Sequence, residues 1–156
     1  MSDRRPLTPG EIDLARSMFG GEIDYARVEI VRRKWWPLQP RGVVMAPTGN
    51  IHFHPQSERY SDDFSKENLG LQGLFIHEMT HVWQTQRGGR WFLPLARHPF
   101  CRYAYEVKPG RPFDRYGLEQ QAELVRHLFL RQRGRKTPRD TEIAVLGADF
   151  LPFRGV

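Results

Sequence analysis

The stretch "LFIHEMTHVWQ" (residues 74–84) carries two histidines, His77 and His81, with Glu78 between them. A helix advances each residue by about 100°, which puts His81 about 40° and Glu78 about 100° from His77. Two imidazoles facing the same point can hold one Zn²⁺, at about 2.0 to 2.1 Å, while the glutamate stays beyond bonding range. The glutamate can then take a proton from a zinc-bound water, whose pKa the metal lowers to about 7, as hydroxide attacks a carbonyl.

The helix that carries this motif does not need either histidine for its own burial. Its apolar arc lies on the other side and consists of Leu71, Phe75, Ile76, Met79, Val82 and Trp83. The competing interpretation is a solvated helix face on which the histidines and Glu78 bind nothing. A third ligand decides between the two, because a catalytic zinc usually has three protein ligands and an open position.

The segment "EQQAE" on the next predicted helix offers carboxylates for the third position. Glu119 and Glu123 lie about 40° apart, on a face that this helix does not use for apolar contacts. We interpret Glu119 as a metal ligand and Glu123 as the hydrogen-bond partner of a metal-bound histidine. His127 and Asp114 are weaker rival ligands, and two surface glutamates beside arginines are the alternative.

Capping residues and periodicity predict the elements that must position these side chains. Thr8, Pro9 and Glu11 predict a capped helix that ends at a pair of glycines, Gly20 and Gly21. The further predicted elements are a strand (25–36), a hairpin (43–46 with 51–54), a loop (57–68), a central helix (69–86), an irregular connection (91–112), a second helix (116–134) and a short helix in the tail. The predicted fold class is α+β, in one domain spanning residues 1–156.

The motifs on the two helices resemble a known family. "HEMTH", followed on another helix by an E-x-x-x-[DE] pattern at Glu119 and Glu123, resembles the gluzincin type of zincin metallopeptidases. The resemblance implies a zincin-like fold, with a small sheet or hairpin beside the two helices. It also implies that His77, His81 and Glu119 bind zinc while Glu78 is the general base. Glu123 departs from the commoner aspartate of the family.

A closer resemblance joins three segments, "WWPLQPRGVVMAPTGNIHFHP", "FIHEMTHVWQTQRG" and "YGLEQQAELVRHLF". Together they resemble the small bacterial proteins called Vgr-related and the zincin-like domains found beside phage-tail-like injection systems. The resemblance extends over residues 7–131. It implies a secretion or injection system as a partner, and it carries over no particular substrate.

The zincin resemblance further implies a sheet whose edge strand holds an extended peptide by main-chain pairing. We expect residues 51–53 to form this edge strand, and we interpret His52 and His54 as ordinary strand residues. Three tyrosines are candidates for donating a hydrogen bond to the developing oxyanion, namely Tyr103, Tyr105 and Tyr116. The sequence does not choose among them.

The net charge of +6 and the sequence pI of about 9.9 favour acidic partners. The segment "RRKWWPLQPR" (32–41) interleaves arginines and tryptophans, a pattern that nucleic-acid-binding surfaces use. We favour the interpretation in which Trp35 and Trp36 help fill the core while Arg32, Arg33 and Lys34 stay solvated. Nucleic acid is therefore disfavoured as a partner.

The remaining sequence features concern the compartment. The single cysteine, Cys101, cannot close an intramolecular disulfide, and we expect it to be a buried thiol. The first residues lack the apolar region of a signal peptide, and no stretch approaches the roughly 18 apolar residues of a membrane span. We expect a cytoplasmic protein without a membrane span, unless its export is independent of a signal peptide.

These observations favour a zinc-dependent hydrolase. The leading prediction is a metallopeptidase that cleaves protein or peptide substrates by zinc-activated water, with Glu78 as general base. The alternative is a non-catalytic, zinc-containing adaptor or effector-associated module of a secretion or injection system. Glu78 favours the first, because a structural zinc helix has no need of an acid at that position.

Overall fold

The fold is α+β, as the computed structural model, which describes residues 2–89 and 103–153, places helices beside one small mixed sheet. The strands are β1 (Arg4–Pro6), β2 (Glu29–Val31), β3 (Val44–Met45) and β4 (Ile51–Phe53). The helices are α1 (Pro9–Phe19), α2 (Leu69–Gly88), α3 (Leu118–Gln132) and the single-turn α4 (Asp140–Ile143). Short 3₁₀ turns cover Tyr25–Arg27, Phe64–Lys66 and Phe113–Arg115. The zincin-like topology and the single domain over 1–156 stay predictions.

The predicted irregular connection lies partly within the described residues. Residues 103–112 form neither helix nor strand, as expected, whereas 91–102 and the predicted buried thiol of Cys101 lie outside the described residues. Among the described helices, none has both the length and the apolar character that crossing a bilayer requires.

The capping box predicted for α1 is confirmed, and it extends into a buried ion pair. The Thr8 side chain accepts from Glu11 N at 3.1 Å, and Glu11 accepts from Thr8 N at 2.9 Å. The Glu11 carboxylate, fully buried, also accepts two hydrogen bonds of 2.9 Å from the Arg5 guanidinium and one of 2.9 Å from Phe64 N. One carboxylate therefore joins β1, the start of α1 and the 3₁₀ turn before α2.

Removing the Glu11 carboxylate should destabilise the protein strongly. Glu11→Ala leaves the Arg5 charge and two backbone N–H groups without their acceptor, and breaking a buried pair in this way costs about 3 to 5 kcal/mol. The measurement is the free energy of unfolding from urea titrations at equal metal content. Asp13→Ala, on the exposed side of the same helix, is the matched control and should change that free energy by about 0.5 kcal/mol or less. Equal effects of the two substitutions would contradict this account.

The strand order β1-β2-β4-β3 corrects the expected position of the edge strand. The predicted hairpin is present, since β3 and β4 pair antiparallel with Val44 opposite Phe53. However, β4 also pairs in parallel with β2, with Ile30 opposite Ile51, so β4 is an interior strand. The prediction that residues 51–53 form the edge was wrong, and β3 occupies that edge. The reason is non-local, because β2 pairs with the second strand of the hairpin and covers its outer side.

The predicted strand over 25–36 is shorter than expected. It begins as a 3₁₀ turn, and only Glu29–Val31 forms strand, with Val28 and Ile30 fully buried and Arg32 exposed. Strand β1 was not predicted, because "RRP" has no apolar residue and becomes a strand only by pairing antiparallel with β2. Pairing with a distant segment thus decides both ends of this part of the sheet.

Helix α2 runs through the interior of the domain. Asn68 caps its start by accepting from Leu71 N at 3.1 Å, and Gly89, with a φ of 90°, ends it while its N–H donates to Thr85 O. Every residue from 75 to 85 is buried. Three stacked rings, Phe53, Phe64 and Phe75, lie 5.6 Å apart between centroids and join β4 to this helix.

Helices α2 and α3 make the most extensive contact between two elements in the described residues. Gly73 permits this approach, since a Cβ there would lie 3.3 Å from Leu130 Cδ2 and 3.4 Å from Arg126 Nε of α3. Both glutamates of α3 are therefore held against the face of α2 that carries the histidines.

Candidate metal centre

His77 and His81 of α2 meet Glu119 of α3 in the interior of the domain. Glu119 Oε2 lies 3.0 Å from His81 Nε2 and 3.4 Å from His77 Nε2. The candidate ligand atoms of the three residues all lie within 4.8 Å of one another. Two imidazoles and one carboxylate are a donor set typical of catalytic zinc. The three residues selected from the sequence as ligands are thus brought together.

The burial of the site contradicts the interpretation of a solvated helix face. His77 is 5 % exposed, Glu78 5 %, and His81 and Glu119 1 % each. Burying polar and ionisable groups costs free energy unless each one is paired or bound to a metal. The contacts of these side chains therefore show whether each one is paired within the protein or is arranged to bind a metal ion.

The ring of His81 is fixed by Gln84, a residue that the sequence reasoning did not assign to the site. Gln84 Nε2 donates to two oxygens, Leu118 O at 3.1 Å and Gln121 Oε1 at 2.9 Å. Gln84 Oε1 is therefore an acceptor, and it lies 2.8 Å from His81 Nδ1. That contact puts the proton of a neutral His81 on Nδ1. The available signal was the position of Gln84, one turn beyond His81 on the same face.

This tautomer turns an acceptor nitrogen of His81 towards an acceptor oxygen of Glu119. An unprotonated Nε2 and a carboxylate oxygen 3.0 Å apart repel each other unless a proton or a cation lies between them. Ligands of a shared metal ion stand in this relation, and a divalent cation also balances the buried carboxylate. The residues present therefore fit a zinc ion.

His77 contacts a carboxylate through each of its ring nitrogens. Nε2 faces Glu119, while Nδ1 lies 3.0 Å from Glu123 Oε1, although this oxygen is off the direction of the ring N–H. Burial alone would raise the pKa of Glu123, but the contact with His77 and the neighbouring Arg126 and His127 side chains hold that pKa below its ordinary value. Glu123 is thus a charged acceptor beside a candidate ligand, an arrangement that fits its predicted supporting role.

His127, a rival ligand, lies behind Glu123 and away from the cluster. Its Nε2 is 3.4 Å from Glu123 Oε2, and its Nδ1 is 2.6 Å from the Tyr105 hydroxyl. Burial lowers the pKa of His127 and raises the pKa of Tyr105, so the neutral ring accepts from the phenol and its Nε2–H faces Glu123. His127 supports Glu123. The other rival, Asp114, lines a separate cavity beside Trp83.

A cavity of about 210 Å³ opens on the histidine face of α2. His77 and Glu78 line it together with Val43 and Val44, at the β3 edge of the sheet. One carboxylate oxygen of Glu78, Oε2, is buried without a hydrogen-bond partner in the described residues. An unpaired, buried carboxylate oxygen beside the cluster suits a group that must accept a proton during a reaction.

Of the three candidate tyrosines, only Tyr103 lines this cavity. Its ring stacks on His77 with centroids 6.2 Å apart, and it remains 53 % exposed. Tyr105 is bonded to His127, and the hydroxyl of Tyr116 accepts from Lys108 N at 3.2 Å. The geometry therefore favours Tyr103 for contact with a ligand in the cavity.

His52 lies in β4, as expected, whereas His54 follows the end of that strand, and both have local partners. His52 Nδ1 lies 3.3 Å from Arg33 O, and His54 Nδ1 accepts from Gln56 N at 3.0 Å. Burial holds the pKa of His52 below its ordinary value. Neither belongs to the cluster of candidate ligands found in the described residues.

The prediction that Trp35 and Trp36 help fill the core was wrong, since both are 39 % exposed. Gln39 takes the interior position of this loop. It is 2 % exposed, accepts from Trp35 N at 2.8 Å and donates to Val43 O at 2.9 Å. The basic residues at 32–34 are solvated, as expected. Hydrogen bonds of the Gln39 amide therefore hold this loop in place. That nucleic acid is not a partner stays a prediction.

The chain is similar in sequence and in structure to part of a known bacterial protein. No protein-family model matches the chain. The chain is 42 % identical over 132 residues to the type VI secretion system spike protein VgrG2b of Pseudomonas aeruginosa, covering 81 % of this chain and 13 % of the spike protein. It is also similar to the solved effector domain of Pseudomonas aeruginosa VgrG2b, with a TM-score of 0.73, 38 % identity, and coverage of 89 % of this chain and 83 % of that one. The predicted resemblance to Vgr-related bacterial proteins is thereby supported.

Proposed function

Because the chain belongs to the domain family of the VgrG2b effector domain, we propose that it is an effector module of a type VI secretion system or a related injection apparatus. The names of both relatives support this part of the proposal directly. Under this proposal the secretion apparatus is the partner of the domain, and the domain is exported from the cell. The names say nothing of peptide cleavage, so the enzymatic part of the proposal rests on the site.

We further propose that the module is a zinc metallopeptidase with a zincin-like fold. The observation that carries this proposal is the buried meeting of His77, His81 and Glu119, in which the His81 nitrogen and the Glu119 oxygen face each other as acceptors. Those three residues would hold the ion. When bound, zinc polarises a carbonyl oxygen and lowers the pKa of a water molecule.

The side chains around the cavity have separate tasks in peptide hydrolysis. Glu78 accepts a proton from the attacking water and passes it to the leaving nitrogen, for which its unpaired Oε2 is available. Glu123 and Gln84 orient the rings of His77 and His81 from outside the cluster. Tyr103 is the candidate hydrogen-bond donor to the oxyanion that develops on the substrate.

The peptide substrate is proposed to pair with β3. Within residues 2–89 and 103–153 this strand pairs only with β4, and residues 43 and 44 line the cavity that contains His77 and Glu78. An extended peptide added at this edge would hydrogen-bond through its main chain. The role first expected of residues 51–53 therefore passes to β3.

A non-catalytic, zinc-containing effector module is the second candidate, and the relatives' names agree with it as well. Glu78 distinguishes the two proposals. A structural zinc site does not need a buried carboxylate with an unpaired oxygen beside the cluster, since that group is costly to bury.

The proposal predicts a metal content and a metal-dependent activity. Purified protein should contain about one zinc per chain, the number one cluster can hold. Hydrolysis of an unfolded protein such as reduced casein should stop on chelation and return with zinc. Zinc content without hydrolysis of any peptide in a broad peptide library would favour the non-catalytic module.

Export of the intact protein that carries this domain should stop in cells lacking the secretion tube, and continued export would contradict the effector proposal.

A further inference from the structure

The cavity beside Glu78 is lined by two arginines that the hydrolytic mechanism does not use. Arg59 comes from the loop after β4, and Arg126 comes from α3. We propose that these arginines select peptide substrates that present a carboxylate group beside the scissile bond. The inference rests on the proposed peptidase function and adds the class of substrate.

Arg126 is held in place but is only partly used within the protein. Its side chain lies over Gly73, where a Cβ would come within 3.4 Å of Nε, so the glycine provides the space for the guanidinium stem. Its only hydrogen bond to a described residue is from Nη1 to Glu123 Oε1, at a long 3.4 Å. Its Nε is buried and has no hydrogen-bond partner among the described residues. A guanidinium has five N–H donors, so most of them remain for a ligand.

Arg59 provides the second positive charge on the cavity wall. It is exposed, and within residues 2–89 and 103–153 its guanidinium has no hydrogen-bond or ion-pair partner. Its backbone N–H donates to the Ser57 hydroxyl at 3.2 Å, which fixes the turn from which the side chain extends. A long side chain on a fixed turn can close on a ligand without moving the main chain.

The acids of the cavity do not cancel these charges. Glu123 is already shared among His77, Arg126 and His127, and Glu78 forms no ion pair with either arginine in the described residues. A substrate carboxylate would therefore meet two guanidinium groups that lack a full complement of acceptors. Arginine binds carboxylates through paired, charge-assisted hydrogen bonds, which are stronger than hydrogen bonds between neutral groups.

Two parts of a peptide present this chemistry, namely a glutamate or aspartate side chain and the free carboxyl terminus. A peptide series separates them. One set is a blocked alanine-rich octapeptide with glutamate at each position in turn, and its partner set has glutamine instead. A third peptide carries glutamine and a free carboxyl terminus.

The experiment measures binding of these peptides to zinc-loaded Glu78→Gln protein, and their cleavage by the wild-type protein. At one or a few positions, glutamate should bind about tenfold more tightly than glutamine, because charge-assisted hydrogen bonds to arginine add at least that factor. The preference should fall to nearly none in Arg126→Gln and Arg59→Gln, and Arg126→Lys should keep part of it. A preference for the third peptide alone would identify the carboxyl terminus as the group recognised.

Two control measurements test whether the preference for a carboxylate depends directly on Arg59 and Arg126. Arg27→Gln removes an exposed arginine that does not line the cavity and should keep the full preference. Zinc content of the Arg126 variants tests whether the change acts instead through Glu123. Equal binding of glutamate, glutamine and free-terminus peptides, or a preference that survives both glutamine substitutions, would overturn the inference. Selective binding by a protein that cleaves none of the peptides would instead contradict the peptidase function and leave carboxylate recognition standing.

Discussion

Glu78→Gln protein should keep its zinc and lose peptide hydrolysis. Glutamine has the shape of glutamate, so the cluster of His77, His81 and Glu119 should hold the metal as before. The amide cannot accept a proton from water, and loss of a general base lowers the rate about 10²- to 10⁴-fold. The measurement is kcat for casein-derived peptides together with zinc content from metal analysis.

A matched control separates this effect from a change in total charge. Glu22→Gln makes the same substitution at an exposed position outside the site and should leave the rate unchanged. If Glu78→Gln retained the wild-type rate, Glu78 would not be the base, and its buried unpaired oxygen would need another explanation. A rate lost together with the zinc would assign Glu78 to metal binding instead.

The parts of the fold that were predictable are those set by neighbouring residues. The capping box of α1, the position of α2 (predicted over 69–86 and observed over Leu69–Gly88), and the β3–β4 hairpin depend on caps, turns and periodicity that a short sequence window contains. Strand β1 and the parallel pairing of β2 with β4 depend on partners far along the chain. The prediction that residues 51–53 form the edge of the sheet was wrong for this reason.

The candidate site divides along the same line. Helical geometry alone put His77 and His81 on one face and Glu119 on a free face of another helix, and these residues do meet. Gln84 was missed because an amide becomes informative only when its own partners fix which end accepts. Trp35 and Trp36 were wrongly expected in the core because composition does not reveal that Gln39 fills the interior of their loop.

Glu119→Gln should weaken zinc binding more than Glu123→Gln, although the two residues lie one turn apart on the same helix. Replacing an outer partner of a metal ligand such as Glu123 costs about 10- to 100-fold in metal affinity. Replacing the ligand itself removes a bond to the metal and the charge that balances it. The measurement is the zinc dissociation constant of each variant by competition with a chromogenic chelator. Equal losses, or a larger loss for Glu123→Gln, would contradict the assignment of Glu119 as ligand.

The same substitution should have the opposite effect on the metal-free protein. In alkaline buffer, where a histidine ring is neutral, His81 carries its proton on Nδ1 and turns an acceptor towards the Glu119 carboxylate at 3.0 Å. A glutamine can rotate its amide N–H₂ towards His81 Nε2 and replace a repulsive contact by a hydrogen bond, for about 1 kcal/mol. Chelated Glu119→Gln protein should therefore unfold at higher urea than chelated wild type, while the zinc-loaded proteins reverse that order. The contrary result is a Glu119→Gln variant that is less stable than wild type both when chelated and when zinc-loaded. It would mean that the Glu119 carboxylate stabilises the fold through packing and hydrogen bonds. Its proximity to the two histidine rings would then not indicate a cation site.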